Sequence, residues 1–198
     1  MDAATVSLPP TLQLSIDLTD EQFFLLCQNN RDLQFERTAS GELIIMPPTG
    51  GETGNRNFEI TVGLGIWNKQ YNLGKGFDSS SGFKLPNGAN RSPDASWVKQ
   101  ERWEALNQEQ KRKFIPLCPD FVVELRSPTD SLKQTQLKMQ EYIANGARLG
   151  WLIDPKTRRV EIYRPNQDVE LLENPVTLSG EDVLPGFVLD ISSIFSPP

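Results

Sequence analysis

The order of helical and strand-like segments in this chain predicts an α/β (α+β) domain, with a central mixed sheet flanked by helices and preceded by a helix and a hairpin. Three observations lead there. The chain has 198 residues, 37% hydrophobic and 23% charged, enough to close one sizeable core and short of what two large domains need. Its most strand-like run, Phe121-Val122-Val123-Glu124-Leu125, is followed by a helix-length segment and then by further apolar runs. No apolar stretch approaches the length of a membrane span.

Taken in order, residues 1–14 are rich in Pro and Thr and read as an N-terminal arm or edge segment, leaving 15–198 as one domain. Asp20, an N-cap type residue, precedes the apolar cluster of a short helix ending near Asn29-Asn30. Leu33-Gln34-Phe35-Glu36 and Glu42-Leu43-Ile44-Ile45-Met46, with Ser40-Gly41 as the turn, make a hairpin. Over residues 52–72, Phe58, Val62, Ile66 and Tyr71 recur near helical spacing. Gly63 and Gly65 each weaken that helix by about 1 kcal/mol relative to Ala, so close packing against a sheet is their natural explanation. Residues 82–85 and 92–98 are strand-like, and 100–114 form a polar, helical connection with a basic end at Lys111-Arg112-Lys113. The strand at 119–125 leads to a helix over 131–145, closed by Gly146. Residues 149–153 and 159–163 are strands around an Asp154-Pro155-Lys156-Thr157 turn, and the acidic tail from 166 onward reads as a closing layer.

The composition excludes much chemistry. With no histidine, the chain has no Ser-His-Asp or Cys-His triad, no His-based zinc site and no imidazole base. Cys27 and Cys118 lie far apart in apolar surroundings and read as buried free thiols. Any catalysis must run on carboxylates, lysine and hard metal ions. The net charge of -6 is unevenly spread: residues 61–164 hold 17 Lys+Arg against 11 Asp+Glu, while both flanks are acidic. A basic centre is compatible with phosphate contacts, although, taken alone, a solvated mixed-charge surface is the simpler and better explanation. The N-terminus has neither a basic start nor a long apolar centre, so the expectation is a cytoplasmic protein without a signal peptide or membrane anchor.

A carboxylate inside an apolar strand requires a partner or a metal, because burying it unpaired is costly. Glu124 is that residue. Alternation places Phe121, Val123 and Leu125 on one face and Asp120, Val122, Glu124 and Arg126 on the other. An ion pair of Arg126 with Glu124 or Asp120 accounts for this strand as well as a metal does. The segment at 92–98 tips the balance, since it opens with Pro93-Asp94 and sets Asp94, Ser96 and Val98 on one face. Oxygen ligands from Asp94 and Glu124, completed by water and substrate phosphate, suit Mg²⁺ or Mn²⁺ and suit zinc poorly. Gly50, Gly51 and Gly54 make no phosphate loop, since no Gly-Lys-Ser/Thr follows them. The four tryptophans read as packing residues.

These residues reach a family resemblance. Ser92-Pro93-Asp94, the run from Pro119-Asp120 through Glu124-Leu125-Arg126-Ser127-Pro128, Lys138-Met139-Gln140-Glu141-Tyr142 and Trp151-Leu152-Ile153-Asp154-Pro155 together resemble the Uma family of restriction-endonuclease-like proteins, a branch of the PD-(D/E)XK nuclease superfamily. The resemblance covers roughly residues 20–190. Each motif is short, but the ordered set is fairly specific. It implies a restriction-endonuclease-like core in which Asp94 and Glu124 bind the metal. A lysine two residues after the Glu normally completes such a site, and here Arg126 stands in its place. An arginine can hold a phosphate but stays protonated. In some branches the lysine comes from the following helix, where Lys138 fits, four residues before Tyr142 on one helical edge. Glu52, at the start of the long helix, resembles an acidic residue that assists the site in relatives, although the helix dipole alone explains an acid there.

The resemblance implies a Mg²⁺- or Mn²⁺-dependent endonuclease acting on DNA, with no membrane partner and with room for a homodimer. The competing expectation, supported by Arg126 at the lysine position, is a non-catalytic domain that keeps the nuclease fold and binds nucleic acid or protein. A third is a structural domain whose carboxylates only form ion pairs.

Overall fold

Along residues 11–196, which the computed structural model describes, edge strand β1 (Leu12–Ser15) leads into helix α1 (Asp20–Asn29) and the hairpin of β2 (Gln34–Arg37) and β3 (Glu42–Met46). Of the arm expected over 1–14, residues 1–10 lie outside the described residues and Leu12–Leu14 belong to β1. The long helix α2 (Gly51–Tyr71) follows, then β4 (Gly74–Asp78), β5 (Phe83–Lys84), β6 (Asn90–Arg91) and β7 (Ala95–Lys99). The polar connection holds two short helices, α3 (Gln100–Glu104) and α4 (Gln108–Arg112). After it come β8 (Phe121–Leu125), α5 (Leu132–Ala144), β9 (Leu149–Asp154) and β10 (Arg159–Tyr163). The tail is β11 (Glu170–Glu173), β12 (Thr177–Ser179), β13 (Val188–Asp190) and α6 (Ser192–Phe195).

The central sheet has the order β11-β10-β9-β8-β7-β4. It is mixed: β8 and β9 are parallel, joined by the α5 crossover, and the other neighbouring pairs are antiparallel. Alternation sorts its side chains as the sequence expects. Ala95, Trp97, Phe121, Val123, Leu125, Trp151 and Ile153 face a core closed by α2 and the tail, while Val98, Val122 and Leu152 face a second core closed by α5 through Met139 and Tyr142. A separate sheet, β1-β3-β2-β6-β5, forms a small core with α1 around Phe23, Phe35 and Leu43. No described helix is long and apolar enough to cross a membrane.

Three local expectations change. The cap of α1 is Thr19, not Asp20: its hydroxyl accepts from the Gln22 N–H while the Gln22 side chain accepts from Thr19 N–H, a reciprocal capping box. In α2 the close neighbour of Gly63 is Leu189 of the tail, not the central sheet, and a side chain at Gly65 would meet open space. β4, an edge strand of the central sheet, was unread because its sequence, Gly-Lys-Gly-Phe-Asp, has little strand propensity. Pairing with β7 makes it a strand, and packing requires its first glycine: a Cβ on Gly74 would lie 2.2 Å from the Val98 carbonyl oxygen and 2.5 Å from the Trp97 ring. Neither neighbour can yield, since one is backbone and the other a core tryptophan that is 2% exposed. Gly74→Ala is therefore expected to lower unfolding free energy by roughly 1–3 kcal/mol, read by urea titration.

Candidate active site

Antiparallel pairing of β7 with β8 sets Ala95 opposite Val123, so the register carried one residue further sets Asp94 opposite Glu124. The two carboxylates expected to converge thus stand next to each other, Asp94 just before β7 and Glu124 within β8. Asp94 is fixed from two directions: Asn57 Nδ2, from α2, donates to Oδ1 at 2.9 Å, and the Leu125 N–H donates to Oδ2 at 2.8 Å. Burial raises its carboxyl above the ordinary value, and these bonds only partly oppose that.

Glu124 is 7% exposed and faces α5. The Tyr142 hydroxyl donates to its Oε1 at 3.0 Å and the Lys138 ammonium lies 2.8 Å from the same oxygen. Among the described residues, Oε2 accepts from none. Burial pushes the Glu124 carboxyl up to about 8; Lys138 works against the rise, and the nearby Asp94 and Glu36 carboxylates add to it.

Lys138 and Tyr142 occupy successive turns of one edge of α5, as their spacing predicts, and both reach over the sheet to Glu124. The Lys138 amine also lies 2.7 Å from Glu36 Oε1. Burial disfavours its charge, but Glu124 and Glu36 outweigh this and raise its pKa, so Lys138 is a cation and a hydrogen-bond donor, not a base, near neutral pH.

Sequence reasoning missed Glu36. It lies in β2, a strand with neighbours on both edges, and is 2% exposed. Arg91 Nη1 donates to its Oε2 at 3.0 Å, the Ser92 N–H donates to Oε1 at 3.0 Å, and Arg91 Nε also donates to Glu141 at 2.6 Å. Burial alone would raise Glu36, but Lys138 and Arg91 hold it below the usual carboxylate range. The apolar-polar alternation of Leu33 to Glu36 marks a strand but not what its polar face meets, and in the structure that face packs toward Lys138 of α5.

Arg126 and Glu52 lie differently. Arg126 Nη1 donates to Asp154 at 2.7 Å and its Nε to the Asp130 carbonyl at 3.2 Å; among the described residues Nη2 donates to none. Burial would raise the Asp154 carboxyl, but Arg126 and Thr157 hold it below the ordinary value. Neither of the ion pairs considered for Arg126 forms, for Asp120 sits at the other end of β8 and pairs with Arg102 at 3.0 Å. Glu52 is exposed on the first turn of α2, paired with Arg56 at 3.6 Å, and the structure does not bring it to the Asp94–Glu124 cluster.

The described residues contain no group of three or more His, Cys, Asp or Glu side chains that could hold a metal ion. They do offer two neighbouring carboxylates, both raised, one with an unengaged oxygen. Beside them the Oδ1 of Asn57 is buried without a hydrogen-bond partner. This oxygen-rich cluster fits a hard divalent cation that takes one or two protein carboxylates and completes its shell with water and phosphate oxygens. Asp94 also lines a cleft of about 490 Å³ that runs between α2 and the loop before β2.

The model of the Uma2 family, described as "Putative restriction endonuclease", matches residues 20–192. The chain belongs to the Uma2 family. A solved structure similar to this Uma2 chain is that of a putative nuclease belonging to DUF820 from Anabaena variabilis. The two are 21% identical and superpose with a TM-score of 0.74, covering 90% of this chain and 98% of the other, which shows a shared fold. No curated protein matches the chain.

Two outcomes follow from the electrostatics. Because the folded Glu124 carboxyl titrates near 8, above its unfolded value of 4.5, its contribution to stability is fully present below pH 4.5 and is lost as pH rises through about 8. The melting temperature of the metal-free protein is expected to fall across that window, and Glu124→Gln to flatten the fall, as scanned by calorimetry in chelator. Glu36→Gln leaves Arg91 and Lys138 short of their shared counter-charge and is expected to cost about 3 kcal/mol of unfolding free energy in urea titration.

Proposed function

We propose that this Uma2-family protein is a Mg²⁺- or Mn²⁺-dependent endonuclease that hydrolyses DNA phosphodiester bonds. The observation that carries the reading is the lysine: Lys138, mounted on α5, brings its ammonium to 2.8 Å from Glu124, whose neighbour across the strand register is Asp94. Three charged groups of the kind phosphodiester hydrolysis needs thus meet at one end of the sheet without any histidine.

In this reading Asp94 and Glu124 hold the cation. When bound, it polarises a phosphoryl oxygen and acidifies an attacking water. Leu125 N–H and Asn57 orient the Asp94 carboxylate, and Tyr142 orients Glu124. Lys138, fixed as a cation between Glu124 and Glu36, positions water and offsets charge developing on the phosphoryl group. Arg126 can offer only its free Nη2 to a phosphate, because Asp154 and the Asp130 carbonyl hold the rest of the guanidinium. Glu52 takes no part in the proposed chemistry.

Nicking of supercoiled plasmid in Mg²⁺ or Mn²⁺ tests the assignment. Asp94→Asn, Glu124→Gln and Lys138→Met are each expected to slow nicking by about 100-fold or more; the two carboxylate variants should keep the thermal transition, whereas Lys138→Met, which also leaves Glu36 and Glu124 without their ammonium, should melt lower. Wild-type rates in the two carboxylate variants would refute it. Salt-dependent DNA binding with no metal-dependent cleavage by the wild type would instead support the non-catalytic binding reading.

A further inference from the structure

We propose that the cleft beside Asp94 is a nucleobase site, in which Phe58 stacks on one unpaired base of a DNA strand whose backbone passes the Asp94–Glu124 pair. The inference rests on the nuclease reading for the direction of the strand, and on the cleft itself for the base.

Phe58 is 62% exposed, although it lies on a helix whose neighbouring turns carry the buried Ile60 and Leu64. It lines the cleft together with Leu33, itself 41% exposed, and the residue preceding it, Asn57, donates to Asp94. An exposed phenylalanine one residue from a contact to the candidate metal ligand is not explained by packing, since the core cluster on that side of the sheet is built without it. The tryptophans offer no rival platform: Trp67, Trp97 and Trp151 are buried, and Trp103 is packed against the α5-side core.

The polar lining selects a base over a backbone. Among the described residues Arg31 is the only basic one on the cleft wall, against the carboxylates of Asp32, Asp78 and Asp94. Phosphates are repelled by such a wall except where a cation intervenes, whereas the amino and imino N–H groups of a base edge are suited to it, as they are to the Gln34 amide. The geometry agrees. Duplex DNA is read by a protruding helix or ribbon that enters its groove, and a concave site of about 490 Å³ does the reverse, admitting a base that has left the stack. The proposed substrate is therefore single-stranded, or unpaired at the position engaged.

The test uses the full chain with Ca²⁺ in place of Mg²⁺, and measures binding of a single-stranded oligonucleotide, its duplex, and the same strand bearing one abasic position. The single strand is expected to bind more tightly than the duplex. Phe58→Ala should weaken single-strand binding roughly 5- to 150-fold, the range for losing one base–aromatic stack, and Phe58→Trp should restore it. The abasic strand should bind the wild type as weakly as the intact strand binds Phe58→Ala, with no further loss when the two changes are combined. Since Phe58 is largely exposed, the Ala variant should melt with the wild type. Equal binding of single strand and duplex, indifference to Phe58→Ala, or capture of a Lys/Arg-rich peptide in preference to the oligonucleotide would overturn the inference. The nuclease reading fails separately: single-strand binding sensitive to Phe58 without cleavage in Mg²⁺ sinks that reading and upholds the base site. Cleavage that ignores both Phe58 and the abasic position does the opposite.

Discussion

One ammonium group ties the hairpin sheet of this protein to its central sheet. Lys138 comes from α5, Glu124 from the central sheet and Glu36 from the hairpin sheet, and the amine lies within 2.8 Å of an oxygen on each carboxylate. Arg91 continues the chain of charge from Glu36 back to Glu141 on α5. Buried charges of this kind are tolerated only when every member is paired, and breaking one pair costs more than the pair contributes. The network therefore specifies where the hairpin docks more strongly than it stabilises the fold, and the apolar clusters on the two faces of the central sheet supply the bulk of the burial.

Much of the central sheet was legible because its residues obey local rules. The alternation of Phe121 to Leu125 and of Ala95 to Val98 assigned both faces correctly, and the periodicity of α5 placed Lys138 and Tyr142 on one edge. The unread parts depend on distant neighbours. β4 is a strand because it pairs along its length with β7, and its first residue is glycine because Trp97 leaves no room for a side chain there, facts held by another segment of the chain. Glu36 gave no sign of its role because alternation reports which face a side chain takes and not what lies against that face. Asn57 gave no signal at all, for its importance lies in a single hydrogen bond to Asp94 across 37 positions of sequence.

The place of Arg126 has a physical account. A lysine at that strand position would add a second mobile ammonium beside Glu124. Arginine instead forms a bond to Asp154 at the end of the neighbouring parallel strand and another to the Asp130 carbonyl in the turn before α5. It thus secures the loop that launches the helix carrying Lys138. The planar fork of the guanidinium suits this bridging of two fixed acceptors, which an ammonium on a flexible stem does less well.

Mounting the lysine on α5 separates the site into parts of unequal permanence. Glu124 belongs to β8, an interior strand of the central sheet, and Asp94 immediately precedes interior strand β7, so displacing either requires disruption of much of the fold. α5 is a surface helix held on one side, with Met139 seated where Gly150 has no side chain and Leu137 facing water. A peripheral helix of this kind can lift locally at a fraction of the global unfolding free energy. Such a displacement would take the Lys138 ammonium away from Glu124 while leaving the carboxylate pair intact, so the charge balance around Glu124 is as durable as the docking of one helix.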